Sequence, residues 1–191
     1  MTNINLDKIK QIKKEKDNVQ IQKLKNNISY RINKLVKLNP LRTDYLEKFQ
    51  ALIDEYNLGT LNQDFFLEEL FKWSKKATEE EKRHVKEGLT EEELAVFDLL
   101  KKEDLTDKEI NDLKKIAKDL LHTLKNDGLR AVDWRKKPQT KAQVFEEIEG
   151  ILDDNLPEAY NPIFDKVCSN VFQHIFDNYF GEGKSTYSQI A

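Results

Sequence analysis

The sequence has little of what crosslinks or bends a chain. A single cysteine, Cys168, excludes an internal disulfide and suits a reducing, cytoplasmic setting. Six Gly and four Pro in 191 residues are too few for the many turns of a β-sandwich. No stretch approaches the roughly 18 consecutive apolar residues of a membrane span, and the N-terminus has no apolar h-region, so neither membrane insertion nor export is expected. What is abundant is charge. With 35% charged and 38% hydrophobic residues, the chain reads as helix-rich and large enough to bury a core.

The net charge of −3 conceals an asymmetry. Residues 1–42 hold eleven Lys/Arg against Asp7, Glu15 and Asp17, a net +8, which leaves −11 for the remainder. A basic arm on an acidic body points to a polyanion or to an acidic partner surface; the plainer alternative is a solvated helix.

Helix punctuation is frequent. Thr followed three residues later by Glu or Gln can form a reciprocal capping box, and this occurs at Thr60/Gln63, Thr78/Glu81, Thr90/Glu93, Thr106/Glu109 and Thr140/Gln143. Gly59, Gly88, Gly128 and Gly181 stand where helices should stop. Apolar stripes at helical spacing run through Leu46, Phe49, Ile53 and Tyr56, through Phe66, Leu70, Trp73 and Ala77, and from Ile110 to Leu124. These signals predict helices near 5–38, 44–57, 61–77, 79–87, 91–102, 107–127, 140–153 and 162–180. The first has a slip in apolar spacing between Ile12 and Val19 and is stopped by Pro40; the last opens on Asn161-Pro162. Its broad apolar face, from Phe164 to Tyr179, makes it the expected centre of the core. No alternating strand stands out. The predicted class is all-α, an irregular multi-helix bundle of about seven or eight helices with a long basic N-terminal helix.

Several stretches imitate chemistry. "GEGKST" at Gly181–Thr186 lacks the first glycine of a phosphate-binding loop, because Asn178 occupies that position, and it follows a helix rather than a strand. It is expected to be a helix end running into a frayed tail, dispensable for folding. Asp177 with Glu182-Gly183-Lys184 echoes a metal-dependent nuclease signature, but without the neighbouring strands that place two carboxylates on one ion. His84, His122 and His174 are scattered one to a helix, so no zinc site is expected, and His174 reads as a hydrogen-bonded core histidine. Cys168 lies in an apolar stripe and reads as packing. The acidic triplets Glu79–Glu81 and Glu91–Glu93 read as first helical turns, where the helix dipole favours them. No catalytic residue and no metal ligand is predicted.

One family is suggested by five stretches taken in order: "LNPLRTDYLEKFQALIDEYNLGTLN", "EEKRHVKEGLTEEELAVFDLL", "VDWRKKPQTKAQV", "DNLPEAY" and "VFQHIFDNYFGEGKS". Together, over about Leu38 to Tyr187, they resemble the C-terminal helical region of the R (restriction and motor) subunit of type I restriction-modification enzymes. The resemblance implies a parent subunit that cleaves DNA after ATP-driven translocation, using ATP and Mg2+. It assigns the nuclease and motor domains to other parts of that parent, so this region is expected to be non-catalytic and without a cofactor of its own. The expected organisation is a basic helical spacer over 1–38, a helical domain over 39–181 and a flexible tail over 182–191. The implied partners are the methyltransferase core (modification and specificity subunits) and duplex DNA.

Among the residues themselves, one cluster fits such a role. Arg130, Arg135, Lys136, Lys137 and Lys141 face only Asp133, a net +4 in twelve residues. Lys and Arg neutralise phosphates whatever the base sequence, as a translocating enzyme requires. Val132 and Trp134 are the apolar pair within this stretch, and Trp134 is expected to pin it to the core while its neighbours face out. The readings left open are a solvated loop, or a pure protein–protein docking module with no DNA contact.

Overall fold

The capping signals at Thr90 and Thr106 produce the helix starts they predict. Each threonine hydroxyl accepts the backbone N–H of the glutamate three residues on, and that glutamate accepts the threonine's own N–H in return. The computed structural model describes residues 18–126, 128–131 and 133–190, leaving out the side chains of Arg130 and Ile190. Among these residues the order is α1 (Asn18–Leu38), a 3₁₀ turn (Pro40–Arg42), α2 (Thr43–Asn57), α3 (Gln63–Glu81), α4 (Arg83–Glu87), α5 (Glu91–Leu100) and α6 (Asp107–Asn126). There follow a 3₁₀ turn (Gly128–Arg130), α7 (Pro138–Asn155), a 3₁₀ helix (Glu158–Ile163), α8 (Phe164–Asn178), β1 (Tyr179–Gly181), β2 (Lys184–Ser185) and α9 (Thr186–Ile190). Among the described residues the fold is all-α apart from one two-stranded antiparallel hairpin.

The chain divides into two units, between Arg83 and His84. This division falls elsewhere than the boundaries expected at 38 and 181. Helix α1 packs within the first unit: its buried stripe of Ile21, Leu24, Ile28 and Ile32 belongs to the same core as Phe49, Leu52 and Ile53 of α2 and Phe66, Leu67, Leu70 and Trp73 of α3. The expected helix over 5–17, and with it most of the slip in spacing, lies outside the described residues. Helices α1 and α3 run in the same direction. Near their starts Gln63 donates to the Asn18 side chain, and near their ends Arg31 donates to Thr78 and Glu81. Trp73 makes edge contacts with Tyr45 and Phe49, and Tyr56 stacks on Phe66 at 3.9 Å between ring centres.

Both ends of α3 differ from the expected ones, as do the starts of α7, at Pro138 with no side-chain cap in place of the Thr140/Gln143 box, and of α8. Asn62, not Thr60, caps α3 by accepting the Phe65 N–H, while the Thr60 hydroxyl donates back to the Glu55 carbonyl. At Thr78 the hydroxyl donates to the Ser74 carbonyl inside an unbroken helix, so α3 runs on through the expected break. Glu79–Glu81 therefore form a last turn rather than a first. Charge partners offset the unfavourable dipole: Glu80 accepts from Arg42 and Arg83, and Glu81 from Arg31.

In the second unit α5, α6, α7 and α8 pack each on the next, and α8 closes back onto α5. The core unites Leu94, Phe97 and Leu100 with Leu120 and Leu124, with Val144, Ile148 and Leu152, and with Val167, Cys168, Val171 and Ile175 of α8. Helix α8 starts at Phe164, since Pro162 lies within the preceding 3₁₀ helix, whose Tyr160 is buried and donates to the Leu100 carbonyl. The predicted frayed tail is a correction. Residues 182–190 contain β2 and α9, Ser185 and Thr186 are buried, and Tyr187 packs beside His174 and Tyr179. These partners lie on α8 and β1, outside the segment itself, which is why no periodicity within it announced them.

Candidate nucleic-acid interface

The basic stretch after α6 is irregular, and one ring holds it. Asp133 takes a left-handed φ of 59°, turning the chain so that Trp134 points inward. Trp134 is fully buried, at 0% exposure. Its Nε1 donates to the Tyr179 carbonyl at 3.1 Å, and its ring meets Phe176 edge-on at 5.8 Å. Burial of an indole is favourable only when its N–H finds an acceptor, and β1 supplies it. Gly181 fits closely against the same segment: at φ +91° it has no side chain, and a Cβ there would lie 2.8 Å from the Ala131 carbonyl oxygen. Trp134 is thus buried with its N–H paired, while Val132, its expected companion, lies outside the described residues.

Around this pin the predicted cations separate by environment. Arg135 lies over two rings, its guanidinium 4.8 Å from the Phe176 centre and 5.2 Å from that of Phe180. Lys141, on the first turns of α7, reaches the Phe176 ring at 5.6 Å. Such contacts orient a cation without neutralising it. Lys136 is exposed and paired with Asp133 at 2.9 Å. Lys137 is exposed at the start of α7, which has no side-chain cap and no acid in its first turn. Arg130 ends a 3₁₀ turn, and its side chain lies outside the described residues. Phe176 thus brings Arg135 and Lys141 together, and Lys136 and Lys137 continue the segment between them.

The aromatic platform under these cations was not foreseen. Phe176 and Phe180 follow Phe172 at four-residue spacing, and the broad apolar face expected to be core includes Phe172 and Phe176 but not Phe180. Phe172 and Phe176 are only partly buried, and Phe180 is 36% exposed.

His174, Cys168 and Glu92 are engaged within this unit. His174 is buried, with its Nε2 2.9 Å from the Tyr187 hydroxyl, and burial pushes its pKa down to about 4. Burial likewise pushes the Cys168 thiol up to about 11, which disfavours the reactive thiolate. Glu92 accepts from the Tyr179 hydroxyl at 3.0 Å and pairs with Lys125. The glycine-rich loop is a hairpin turn in which Lys184 pairs with Glu182 at 2.9 Å. No group of three or more His, Cys, Asp or Glu side chains suited to a metal ion occurs among the described residues. No helix among the described residues is long and apolar enough to cross a membrane.

Comparison with known proteins bears on the identity of the chain. Residues 2–176 match the family model described as type I restriction enzyme HindI endonuclease subunit-like, C-terminal. A Methanocaldococcus jannaschii protein, provisionally named as the type I restriction enzyme MjaIXP endonuclease subunit, is 31% identical over 163 residues. The aligned region is 82% of this chain and 15% of that relative. No solved structure matches. The chain belongs to the family of C-terminal regions of HindI-like type I restriction enzyme endonuclease subunits.

Proposed function

We propose that this chain is a non-catalytic helical part of a type I restriction endonuclease subunit, serving attachment to the methyltransferase core and sequence-independent contact with duplex DNA. Nuclease and motor chemistry, with its ATP and Mg2+, belongs in this reading to other parts of the subunit. The observation that carries the DNA contact is the Trp134 pin. A buried ring holds an irregular loop in one conformation while Arg135, Lys136, Lys137 and Lys141 stand around it. A preordered group of cations loses less conformational freedom on meeting a phosphate backbone than a mobile loop would. The uncapped start of α7 adds backbone N–H groups beside Lys137 and Lys141.

Duplex binding followed over a range of salt tests this reading. Each phosphate contact adds about 0.9 to the slope of log affinity against log salt, so Lys136→Ala with Lys137→Ala should lower the slope by up to roughly two on unrelated sequences alike. An unchanged slope removes this segment from the DNA interface. The second reading is a docking surface for a protein partner with no DNA contact. It is favoured by the exposed Phe180 ring beside Arg135, because phosphates have no use for an apolar ring. In that case Phe180→Ser should weaken capture by the assembled methyltransferase, and the two lysine substitutions should leave duplex affinity where it was.

A further inference from the structure

Helix α1 carries a polar face opposite its packed side. Its 21 residues contain five Lys/Arg and neither Asp nor Glu. Ile21, Leu24, Ile28, Ile32 and Leu35 are buried along one side. At about 100° per residue, Lys23, Asn27, Tyr30, Lys34 and Lys37 form a nearly straight line along the opposite side. Lys23, Asn27, Tyr30 and Lys37 are exposed, Lys34 is half-buried, and Tyr30 is 67% exposed at the middle of the line. The line is about 21 Å long at 1.5 Å per residue. Arg31 stands apart from it, committed to Thr78 and Glu81.

We infer that this face of α1 is a second surface for duplex DNA, contacting the sugar-phosphate backbone through Lys23, Lys34 and Lys37, with Asn27 and Tyr30 donating hydrogen bonds between them. The inference rests on the duplex-contact reading given above. Every side chain in the line can donate a hydrogen bond and none carries negative charge, whereas phosphate oxygens accept only. A protein partner fits the face less well. Protein interfaces are depleted in lysine and centred on apolar side chains, and three of the five residues in this line are lysine, with no aliphatic residue. The face also supplies a structural meaning for the basic excess at the N-terminal end of the chain, since no acid within α1 offsets it.

The test uses the whole chain and a fluorescent duplex of arbitrary sequence, with binding followed by anisotropy across a salt series. Lys23→Ala, Lys34→Ala and Lys37→Ala combined should lower the log–log salt slope by up to roughly 2.7, and Lys→Arg at the same positions should retain it. Circular dichroism should show an unchanged fold, because these stems lie outside the core. The lysine-to-alanine loss should also appear in the background of Lys136→Ala with Lys137→Ala, which separates this face from the Trp134 segment. A slope unmoved by the α1 substitutions but lowered by the pair at 136 and 137 overturns the inference and leaves the first surface standing. Loss of binding to polyglutamate with duplex binding intact overturns it in favour of an acidic protein. Absence of duplex binding by the folded parent chain removes both surfaces.

Discussion

The N-terminal unit closes three helices over Phe49, Phe66 and Trp73 and then buries charge, setting Arg42 against Glu80 at 2.8 Å. The C-terminal unit closes four helices over a larger apolar core and secures its irregular connection with a neutral ring, Trp134. Both devices fix a joint that helix packing alone leaves undetermined, but they differ energetically. A buried ring adds hydrophobic free energy together with one satisfied hydrogen bond. A buried ion pair gains little net stability, because desolvation offsets its attraction, yet removing one member leaves the other charged and uncompensated. The C-terminal joint is therefore held by its own free energy, and the N-terminal joint by the penalty for being broken.

The comparison breaks most decisively at Trp134. Trp134→Ala should destabilise the C-terminal unit by roughly 3–5 kcal/mol, seen as early loss of helix in a urea titration followed by circular dichroism. A change within about 0.5 kcal/mol would place the ring outside the core.

On the other side of the comparison, Glu80→Ala should cost the N-terminal unit about 3 kcal/mol. That is near the lower end for a broken buried pair, since Arg83, the second partner of Glu80, is partly open to water. Trp73 reports this unit by its own fluorescence, and the Trp134 unit should be unaffected. Replacing Arg42 and Glu80 together by Met and Leu should cost much less than Glu80→Ala alone.

The units should also separate by pH. His174 is pushed down to about 4 by burial, below its value in the unfolded chain. The unfolded chain therefore takes up the proton first. The contribution is constant above about pH 6.5, and stability falls as pH drops from there towards 4. By pH 4 the loss from this group is about 2–3 kcal/mol, and it falls on the C-terminal unit alone. In His174→Gln that part of the pH dependence should disappear from thermal melts; an unaltered profile would assign it to other groups.

The smallest effect of this set is at the C-terminal hairpin. Deleting residues 182–191 removes the buried Ser185 and Thr186 and the Tyr187 contact to His174. A cost of roughly 1–2 kcal/mol should lower the melting temperature of the C-terminal unit by about 5–10 °C. A temperature unchanged within error would restore the view of this stretch as a dispensable tail.

What was legible in the sequence was whatever is decided within a few residues. The boxes at Thr90 and Thr106 act over one turn, and the core stripe of α8 follows from its spacing. Trp134 was legible for a different reason: in so charged a stretch, a large ring has few ways to be buried except as an anchor. The errors lie where distant partners decide. Thr78 matches a capping pattern, but Arg31 and Arg42 hold the helix beyond it, from positions no local pattern connects to Glu81 and Glu80. The hairpin is fixed by Ala131, Trp134 and His174, which belong to other elements. At the candidate interface the cations were visible as a charge run. Their sorting into ring-held Arg135 and Lys141 and solvent-facing Lys136 and Lys137 depends on where α8 presents Phe176 and Phe180.

Titration of the folded protein against two unrelated duplexes of equal length, at salt from about 50 to about 200 mM, tests whether its ordered cations meet a phosphate backbone. The expected result is measurable binding at the low-salt end, equal affinity for both duplexes, and a steep linear fall of log affinity with log salt. No binding at low salt, or a clear preference for one duplex with little dependence on salt, would contradict it.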